Sequence, residues 1–252
     1  MESGEQRNGF RVAHLDNHLL AADKPAGLPS QPDASGDRSL VDLAREYIRR
    51  EFSKPGRIFL SLMHRLDRPT SGLVLLARTS KAAGRLGEAF RKREIEKTYL
   101  ALVEGLPGNL EGGECRNWLA RTGNGGMRSV SAGFPGAREA RLFYRPLALH
   151  ASSRRSLLAV SLETGVKHQI RCQLALAGLP VAGDFRYGPF SGLAKPTPIA
   201  DGRAVLLHAW KIALTHPVRR ETLSLSAPPP AHWLDHLAAF PDADKLIRIL
   251  NA

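Results

Sequence analysis

The order of helix-like and strand-like segments is the feature that most constrains the fold of this chain. After Ser39, apolar residues recur at the spacing of one helix face and Asp42 completes a capping-box pattern, so a helix is predicted there. A continuous apolar run over 73–77 predicts a buried strand. Ser80 is then predicted to cap a second helix that ends at about residue 94, before a strand-like alternation over 95–103.

The remainder of the chain carries weaker signals of both kinds. The stretch 107–138 is rich in glycine and charge, which indicates loops with short strands. Residues 157–164 are strand-like, and 167–177 predict a helix that ends at a glycine and a proline. Alternation returns over 205–214, and the consecutive prolines at 228–230 are expected to close the regular part.

Strands and helices thus follow one another without a regular βαβ alternation. We therefore expect an α+β fold with a mixed, largely antiparallel central sheet and flanking helices. A chain of 252 residues is long enough to bury its own core. Residues 1–9 are polar and expected to be flexible, and 10–252 are expected to form a single domain.

The chain is strongly basic, with 36 Lys and Arg against 24 Asp and Glu and a formal net charge of +12. Neutralising phosphates releases condensed counterions, so this excess favours a polyanionic partner, nucleic acid above all. A basic surface that serves only solubility is the alternative that charge alone leaves open.

Other classes of protein are disfavoured by what the sequence lacks. No apolar run reaches the ~20 residues of a membrane span, and the first residues lack the apolar core of a signal peptide. Cys115 and Cys172 are too few and too far apart for a disulfide framework, and the scattered histidines show no metal-ligand spacing. No glycine motif for a nucleoside triphosphate or dinucleotide is present. We expect a cytoplasmic protein without membrane, metal or cofactor.

The segment His64-Arg65-Leu66-Asp67-Arg68-Pro69-Thr70-Ser71-Gly72 carries the first candidate for chemistry. Asp67 lies in a turn between two arginines, just before the predicted buried strand, and catalytic groups are often placed on turns that a rigid element holds. Neighbouring guanidinium groups favour the ionised form of a carboxylate. A turn aspartate that bonds its own backbone and pairs with an arginine is the alternative.

A second pattern lies on the strand predicted over 95–103. Lys97 and Tyr99 alternate onto one face of it, so a cation and an aromatic hydroxyl point the same way. A tyrosine can stack on an extruded base and offers a polar tip. A tyrosine that packs at the edge of the core accounts for the pattern equally well.

A third pattern runs from Thr164 to Arg171. If a helix begins near Lys167, then His168 and Arg171 lie three residues apart on one face. Donors at a helix N-terminus suit an anion or a carboxylate. The alternative is a capped amphipathic helix whose polar residues are solvated.

In their order along the chain, these segments resemble the motifs of the RluA-type pseudouridine synthases. The segment 64–73 is similar to the family's catalytic signature, and the resemblance as a whole spans about residues 15–230. The other segments that resemble family motifs are Lys24-Pro25-Ala26-Gly27-Leu28, 95–101, His168-Gln169-Ile170-Arg171, Gly183-Asp184, Tyr187-Gly188, 207–209 and 216–217. Their joint order is more specific than any single match.

The resemblance implies an enzyme that isomerises uridine to pseudouridine in RNA, with an α+β catalytic domain, a basic cleft and no cofactor. It implies that Asp67 is the catalytic carboxylate, Tyr99 the contact to the target base and Arg171 the ion-pair partner of Asp67. Arg65 corresponds to a position whose side chain can fill the space left by a flipped base. The further candidates for RNA contact are Arg68, Lys97, Lys167 and His168.

The implied partner is structured RNA, either ribosomal or transfer RNA, and a monomer is the default. No separate N-terminal RNA-binding domain is expected, and loops such as 107–138 and 188–204 are expected to select the target. Two rival functions remain open: an RNA-binding module without catalysis, and a metal-assisted hydrolase or nuclease that uses His64 and Asp67.

Two departures from the family pattern are present. Val166 stands where the family usually has arginine, and Ser30-Gln31-Pro32 replaces the more usual Val-His-Pro. Neither departure touches Asp67, Tyr99 or Arg171. They put the substrate in question and leave the chemistry unchanged.

Overall fold

The computed structural model describes residues 9–53, 55–188 and 205–251, and the chain divides into two compact units. The first unit comprises Met1–Glu96 with Ala209–Pro230, and the second comprises Lys97–His208 with Ala231–Ala252. The expectation of one domain over 10–252 stays a prediction. Apart from Gly9, the stretch 1–9 that was expected to be flexible lies outside the described residues.

Helices and mostly antiparallel strands make up both units, which confirms the α+β class. The strands are β1 (Arg11–Leu15), β2 (Leu19–Lys24), β3 (Ser61–Leu62), β4 (Ser71–Ala77), β5 (Glu96–Glu104), β6 (Gly113–Arg121), β7 (Met127–Val130), β8 (Arg138–His150), β9 (Arg155–Leu162), β10 (Leu207–Thr215) and β11 (Thr222–Ser226). The helices are α1 (Leu40–Glu51), α2 (Ser80–Lys92), α3 (Gln169–Leu176), α4 (Leu234–Leu237) and α5 (Ala243–Asn251), with a short 3-10 helix at Ala231–Trp233.

The first unit is organised around β4, in which every residue is buried. Strand β2 pairs antiparallel with β4 along its length, and β3 pairs antiparallel with the end of β4. The outer pairs β1–β2 and β10–β11 are antiparallel as well. The uninterrupted apolar run of β4 is therefore explained by burial on both faces.

The helices of the first unit begin where local capping chemistry places them. The predicted capping box is confirmed, because the Ser39 hydroxyl accepts from the backbone of Asp42 and the Asp42 carboxylate accepts from the backbone of Ser39. The predicted cap of α2 is wrong by one residue, since Thr79 rather than Ser80 accepts from the N–H of Ala82. The apolar face of α2 packs against β4, and Leu86 is buried in the core of the first unit.

The second unit contains an antiparallel sheet in the order β5-β9-β8-β6-β7. Helix α3 packs on β6 and β7. Leu119, Val166 and Cys172 are buried together in a small apolar cluster of this unit. Both cysteines are buried free thiols, and burial raises the pKa of each.

The prediction of loops with short strands over 107–138 is wrong for β6, which is nine residues long. The glycines that suggested loops have a packing role. A Cβ at Gly112 would lie 2.3 Å from the carbonyl oxygen of Tyr144, and one at Gly113 would lie 2.6 Å from the Tyr144 hydroxyl oxygen. Glycine therefore permits the close approach of β6 to β8 at this point.

The expectation that the prolines at 228–230 close the regular part is also wrong. They are followed by the 3-10 helix, α4 and α5, whose apolar residues Trp233, Leu237 and Leu250 are almost fully buried. Trp233 and Leu237 are four residues apart, which is a helical spacing that the sequence already contained. The proline run ends one segment, and a further helical segment begins directly after it.

Within the described ranges, no helix has both the length and the apolar character that crossing a membrane requires.

Candidate active site

In the first unit, His64 opens the turn that carries Asp67. The backbone N–H of Leu75 in β4 donates to Nε2 of His64 at 3.1 Å, so this ring nitrogen is an acceptor and carries no proton. The ring packs against Phe90 of α2, with the two centroids 5.4 Å apart. His64 therefore ties the turn to the core, and a metal could bind its Nε2 only by breaking the bond to β4.

The backbone on both sides of Asp67 is anchored by one loop, residues 24–30. The Ser30 hydroxyl donates to the carbonyl of Leu66 at 2.8 Å and accepts from the N–H of Leu66 at 3.1 Å. On the other side, the N–H of Gly27 donates to the carbonyl of Arg68 at 2.8 Å. The carbonyl of Asp67 itself accepts from the N–H of Thr70 at 3.0 Å. The turn is thus held at each residue from 66 to 68.

Lys24 reinforces this loop from within. Its side chain is fully buried, and Nζ donates to the carbonyls of Pro25 at 2.9 Å, Leu28 at 2.8 Å and Arg68 at 3.2 Å. Burial lowers the pKa of Lys24 to about 7, although the charge of Asp67 acts in the opposite direction and Arg68 adds to the lowering. An ammonium group in this position adds positive potential near the Asp67 carboxylate.

The two arginines that flank Asp67 differ in their surroundings. Arg68 donates from Nη1 to the Ser35 hydroxyl at 3.1 Å and from Nη2 to the Asp37 carboxylate. Arg65 is exposed, and none of the described residues forms a hydrogen bond or ion pair with it. Of these two candidates for RNA contact, Arg65 is the more accessible.

In the second unit, Tyr99 lies in β5, where it pairs with Val160 of β9 and is only 6% exposed. Lys97 precedes it by two residues, so the two side chains lie on one face of the strand as predicted. Lys97 is half-buried, and burial lowers its pKa. Its ammonium group is therefore less exposed than a surface phosphate contact would be.

Arg171 is the most buried cation of the second unit's candidate residues. It forms a two-bond pair with Asp184, Nε to Oδ2 at 2.6 Å and Nη2 to Oδ1 at 2.9 Å, and both side chains are almost fully buried. Asp184 Oδ1 also accepts from the N–H groups of Arg186 at 2.9 Å and Tyr187 at 3.2 Å. The guanidinium group lies 5.4 Å from the centre of the Tyr187 ring. Arg171 thus has a fixed position and a neutralised charge.

The other polar residues of the His168–Arg171 motif are also bound within the second unit. His168 Nδ1 lies 2.8 Å from the Tyr187 hydroxyl, which accepts from the N–H of Met127 at 2.9 Å. Gln169 accepts from the Thr164 hydroxyl and from the N–H of Val166, both at 2.9 Å. These contacts close the turn that leads into α3.

The prediction that His168 and Arg171 share one face of a helix is wrong. Helix α3 begins at Gln169, and His168 has a left-handed backbone with φ of 52° and no capping bond from its side chain. Lys167 lies outside the helix as well, and its Nζ donates to the carbonyl of Gly125 at 2.9 Å. Neither side chain therefore takes part in an N-terminal anion site on α3.

Two residues that hold candidate residues in place within their own units were not assigned a role from the sequence. Asp184 was noted only as part of a motif, and nothing in the pattern paired it with Arg171. Ser30 was noted only as a departure from the family pattern. The signal for Ser30 was its polar character in a loop next to Lys24, but its partner Leu66 is 36 residues away in the chain.

Among the described residues, no group of three or more His, Cys, Asp or Glu side chains is arranged to hold a metal ion. The predicted target-selecting stretch 188–204 lies outside the described residues except for Gly188. The candidate residues are therefore an anchored carboxylate in the first unit and, in the second unit, a tyrosine on a strand and a buried arginine pair.

Known proteins resemble this chain in sequence and in fold. A family model described as RNA pseudouridylate synthase matches residues 18–176. The chain is 35% identical over 229 residues to ribosomal large subunit pseudouridine synthase D of Nitrosomonas europaea, over 88% of this chain and 62% of that protein. It therefore spans less than two thirds of that relative's length.

A second relative is matched over nearly its whole length. The chain is 31% identical over 218 residues to the dual-specificity RNA pseudouridine synthase RluA of Pasteurella multocida, over 86% of this chain and 92% of that protein. A solved structure, human RNA pseudouridylate synthase domain containing 4, is similar with a TM-score of 0.73 and 25% sequence identity. That similarity covers 90% of this chain and 92% of the human chain.

Proposed function

The chain belongs to the RNA pseudouridylate synthases, with RluA-type enzymes among its relatives, and from that premise we propose that Asp67 is its catalytic carboxylate. Enzymes of this family are isomerases that convert uridine to pseudouridine in RNA. The observation that carries the proposal is the anchored turn, in which the carbonyls of residues 66, 67 and 68 all accept hydrogen bonds. Such anchoring fixes a reactive group within the narrow range that catalysis requires.

The reaction that we propose for Asp67 needs few protein groups. The uracil leaves the base stack, the bond between C1′ of ribose and N1 of the base breaks, and a bond from C1′ to C5 forms. The C5 proton is released and N1 gains a proton, so the product is an isomer of the substrate. Asp67 acts either as a nucleophile or as a base at the sugar, and either role requires its ionised form.

We propose that Tyr99 and Arg171 complete the active site. Tyr99 would hold the extruded base through its ring and help to remove the C5 proton through its hydroxyl. Arg171 would be the ion-pair partner of the Asp67 carboxylate. A guanidinium group has five N–H donors in a rigid fork, so the two bonds to Asp184 do not exhaust it.

The same proposal includes base flipping and a basic RNA-binding surface. Flipping a nucleotide costs a few kcal/mol, which contacts to phosphates can offset. Arg65 supports this part best, because it is exposed two residues before Asp67 in the chain and could fill the space that the base leaves. The candidates with partners inside their own units, Arg68, Lys167 and His168, would contact RNA only alongside those partners.

We further propose that the substrate is ribosomal or transfer RNA. One relative is named for the large ribosomal subunit and another for dual specificity, and the net charge of +12 suits a large polyanion. Mapping pseudouridines chemically in RNA from cells with and without the gene tests this. At least one site should disappear without the gene, return with the wild-type gene and stay absent with a gene that encodes Asp67→Asn. An unchanged map would contradict the proposal.

A further inference from the structure

The hydroxyl group of Ser30 makes two hydrogen bonds to the residue that precedes Asp67. It donates to the carbonyl of Leu66 at 2.8 Å and accepts from the N–H of Leu66 at 3.1 Å. Ser30 is 5% exposed and Leu66 is 7% exposed, so water does not compete for either backbone group. One side chain therefore satisfies both polar groups of a buried peptide residue.

Leu66 depends on this hydroxyl because it lies outside the strands that surround it. Strand β3 ends at Leu62 and β4 begins at Ser71, so neither sheet ladder reaches Leu66. Buried backbone donors and acceptors without partners are costly, and a hydroxyl can serve as donor and acceptor at once. Ser30 thus makes the two hydrogen bonds that a neighbouring strand would make to a residue within a sheet.

The same loop fixes the residue after Asp67. Gly27 and Lys24 donate to the carbonyl of Arg68 at 2.8 Å and 3.2 Å. The residues before and after Asp67 are therefore both hydrogen-bonded to the loop of residues 24–30. Removing the Ser30 hydroxyl would remove the bonds to Leu66 and leave the bonds to Arg68 in place.

We propose that Ser30 is a positioning residue that sets the Asp67 carboxylate for reaction. The inference rests on the proposed role of Asp67 and adds to it a residue that acts through the backbone of Leu66. A valine in its place would have no polar atom that could bond to Leu66. The contact to Leu66 thus depends on the hydroxyl group of this serine.

If Ser30 positions Asp67, loss of its hydroxyl should lower the rate of the chemical step and leave RNA affinity unchanged. A displacement on the order of 1 Å at a reacting group can lower a rate about a hundredfold. Ser30 is only 5% exposed and its hydroxyl is bonded to Leu66, so RNA affinity should not depend on that hydroxyl. The expected signature is a slower single-turnover rate at saturating RNA with an unchanged dissociation constant.

The decisive comparison is between Ser30→Thr and Ser30→Val, which have nearly the same shape and differ in the hydroxyl. Tritium release from C5-labelled uridine in RNA is measured under single-turnover conditions, together with RNA affinity and the midpoint of urea unfolding. Ser30→Thr should keep a rate close to that of the wild type. Ser30→Val and Ser30→Ala should be slower by about ten- to a hundredfold with unchanged affinity.

A control removes a comparable bond far from Asp67 in the chain. Ser156 in β9 is fully buried, and its hydroxyl donates to the carbonyl of Gly105 at 2.8 Å. Ser156→Ala should lower the urea midpoint about as much as Ser30→Ala while its rate stays at the wild-type value. If the two variants slow the reaction equally, the effect of Ser30 is one of stability and the proposal is wrong.

Two further outcomes are distinguishable. Equal rates for Ser30→Thr and Ser30→Val, whether both fast or both slow, overturn the role of the hydroxyl. Asp67→Asn is run beside them, because an active Asp67→Asn protein would refute the proposed catalytic role and leave nothing for Ser30 to position. An inactive Asp67→Asn protein with a fully active Ser30→Val protein refutes the inference about Ser30 alone.

Discussion

Arg171 and Asp184 share two hydrogen bonds, and both side chains are almost fully buried. The free energy of such a pair is asymmetric, because removing one partner leaves the other charge buried and uncompensated. Asp184 also accepts two backbone N–H groups, so it organises the turn after Asp184 as well as the cation. A function that needs Arg171 in one orientation therefore depends on Asp184.

Asp184→Asn tests this dependence, since asparagine keeps the shape and loses the charge. We expect the free energy of unfolding to fall by about 3–5 kcal/mol, and turnover to fall with it. The matched control is Glu139→Gln, which neutralises the exposed pair of Glu139 with Arg116 and should cost less than about 1 kcal/mol. Urea denaturation of both variants measures the difference, and equal losses would refute a special role for the buried pair.

At the scale of single residues, the sequence indicated candidate residues but not the hydrogen-bond partners that hold them in place. Asp67 could be proposed as a candidate because its motif is contiguous, so neighbouring residues alone define it. The partners of Arg171 and Leu66 are 13 and 36 residues away in the chain. Such separations are set by the path of the folded chain, which no local pattern contains.

Strand β4 begins at Ser71, within the motif that contains Asp67, and its second residue, Gly72, requires glycine. Its φ is +110°, and a Cβ there would lie 2.3 Å from the carbonyl oxygen of Ala209. An L-residue would therefore suffer both backbone strain and a collision with the neighbouring strand. The close approach of these strands in the first unit fixes where β4 begins.

Gly72→Ala should accordingly lower the free energy of unfolding by more than about 2 kcal/mol. Gly84→Ala is the matched control, because Gly84 lies exposed in α2 with open space where its Cβ would be. That variant should be more stable than the wild type by roughly 0.5–1 kcal/mol, since glycine is unfavourable inside a helix. Urea denaturation measures both variants, and a neutral Gly72→Ala would disprove the requirement for glycine.

Elements were predictable where one local pattern dominated, and they were missed where glycine or proline had a different meaning. The capping box at Ser39 and the apolar run of β4 are both local, and both predictions are confirmed. Gly112 and Gly113 were interpreted as loop residues, but they allow close packing of β6 on Tyr144. The long strand β8 contains Pro146 at a shift of register, which obscured its alternation.

The charge of the whole molecule predicts how RNA binding responds to salt. With a net charge of +12, several cations should each neutralise a phosphate, so log affinity should fall with log salt by about 0.7–0.9 per contact. Arg65→Ala should weaken binding and reduce this slope by about one contact, because Arg65 is exposed and has no partner among the described residues. Arg171→Ala should instead leave the slope nearly unchanged, because Asp184 already balances the charge of Arg171. It should abolish most turnover, because Arg171 is the proposed partner of Asp67.

Measuring RNA affinity at four salt concentrations and turnover at saturating RNA distinguishes the roles of Arg65 and Arg171. Arg116→Ala is a suitable surface control, since Arg116 is exposed but paired with Glu139. A flattened slope with full turnover in Arg171→Ala would show that Arg171 is an ordinary phosphate contact. In that case, its proposed pairing with Asp67 would be mistaken.

The central claim is that the carboxylate of Asp67 performs the isomerisation, and release of tritium from C5-labelled uridine in RNA tests it most directly. Asp67→Asn keeps the size and the backbone bonds of the turn and removes only the charge that the reaction needs. We predict that the variant folds, binds RNA as the wild type does and releases no tritium above background. Tritium release close to the wild-type rate from the folded Asp67→Asn protein would contradict the claim.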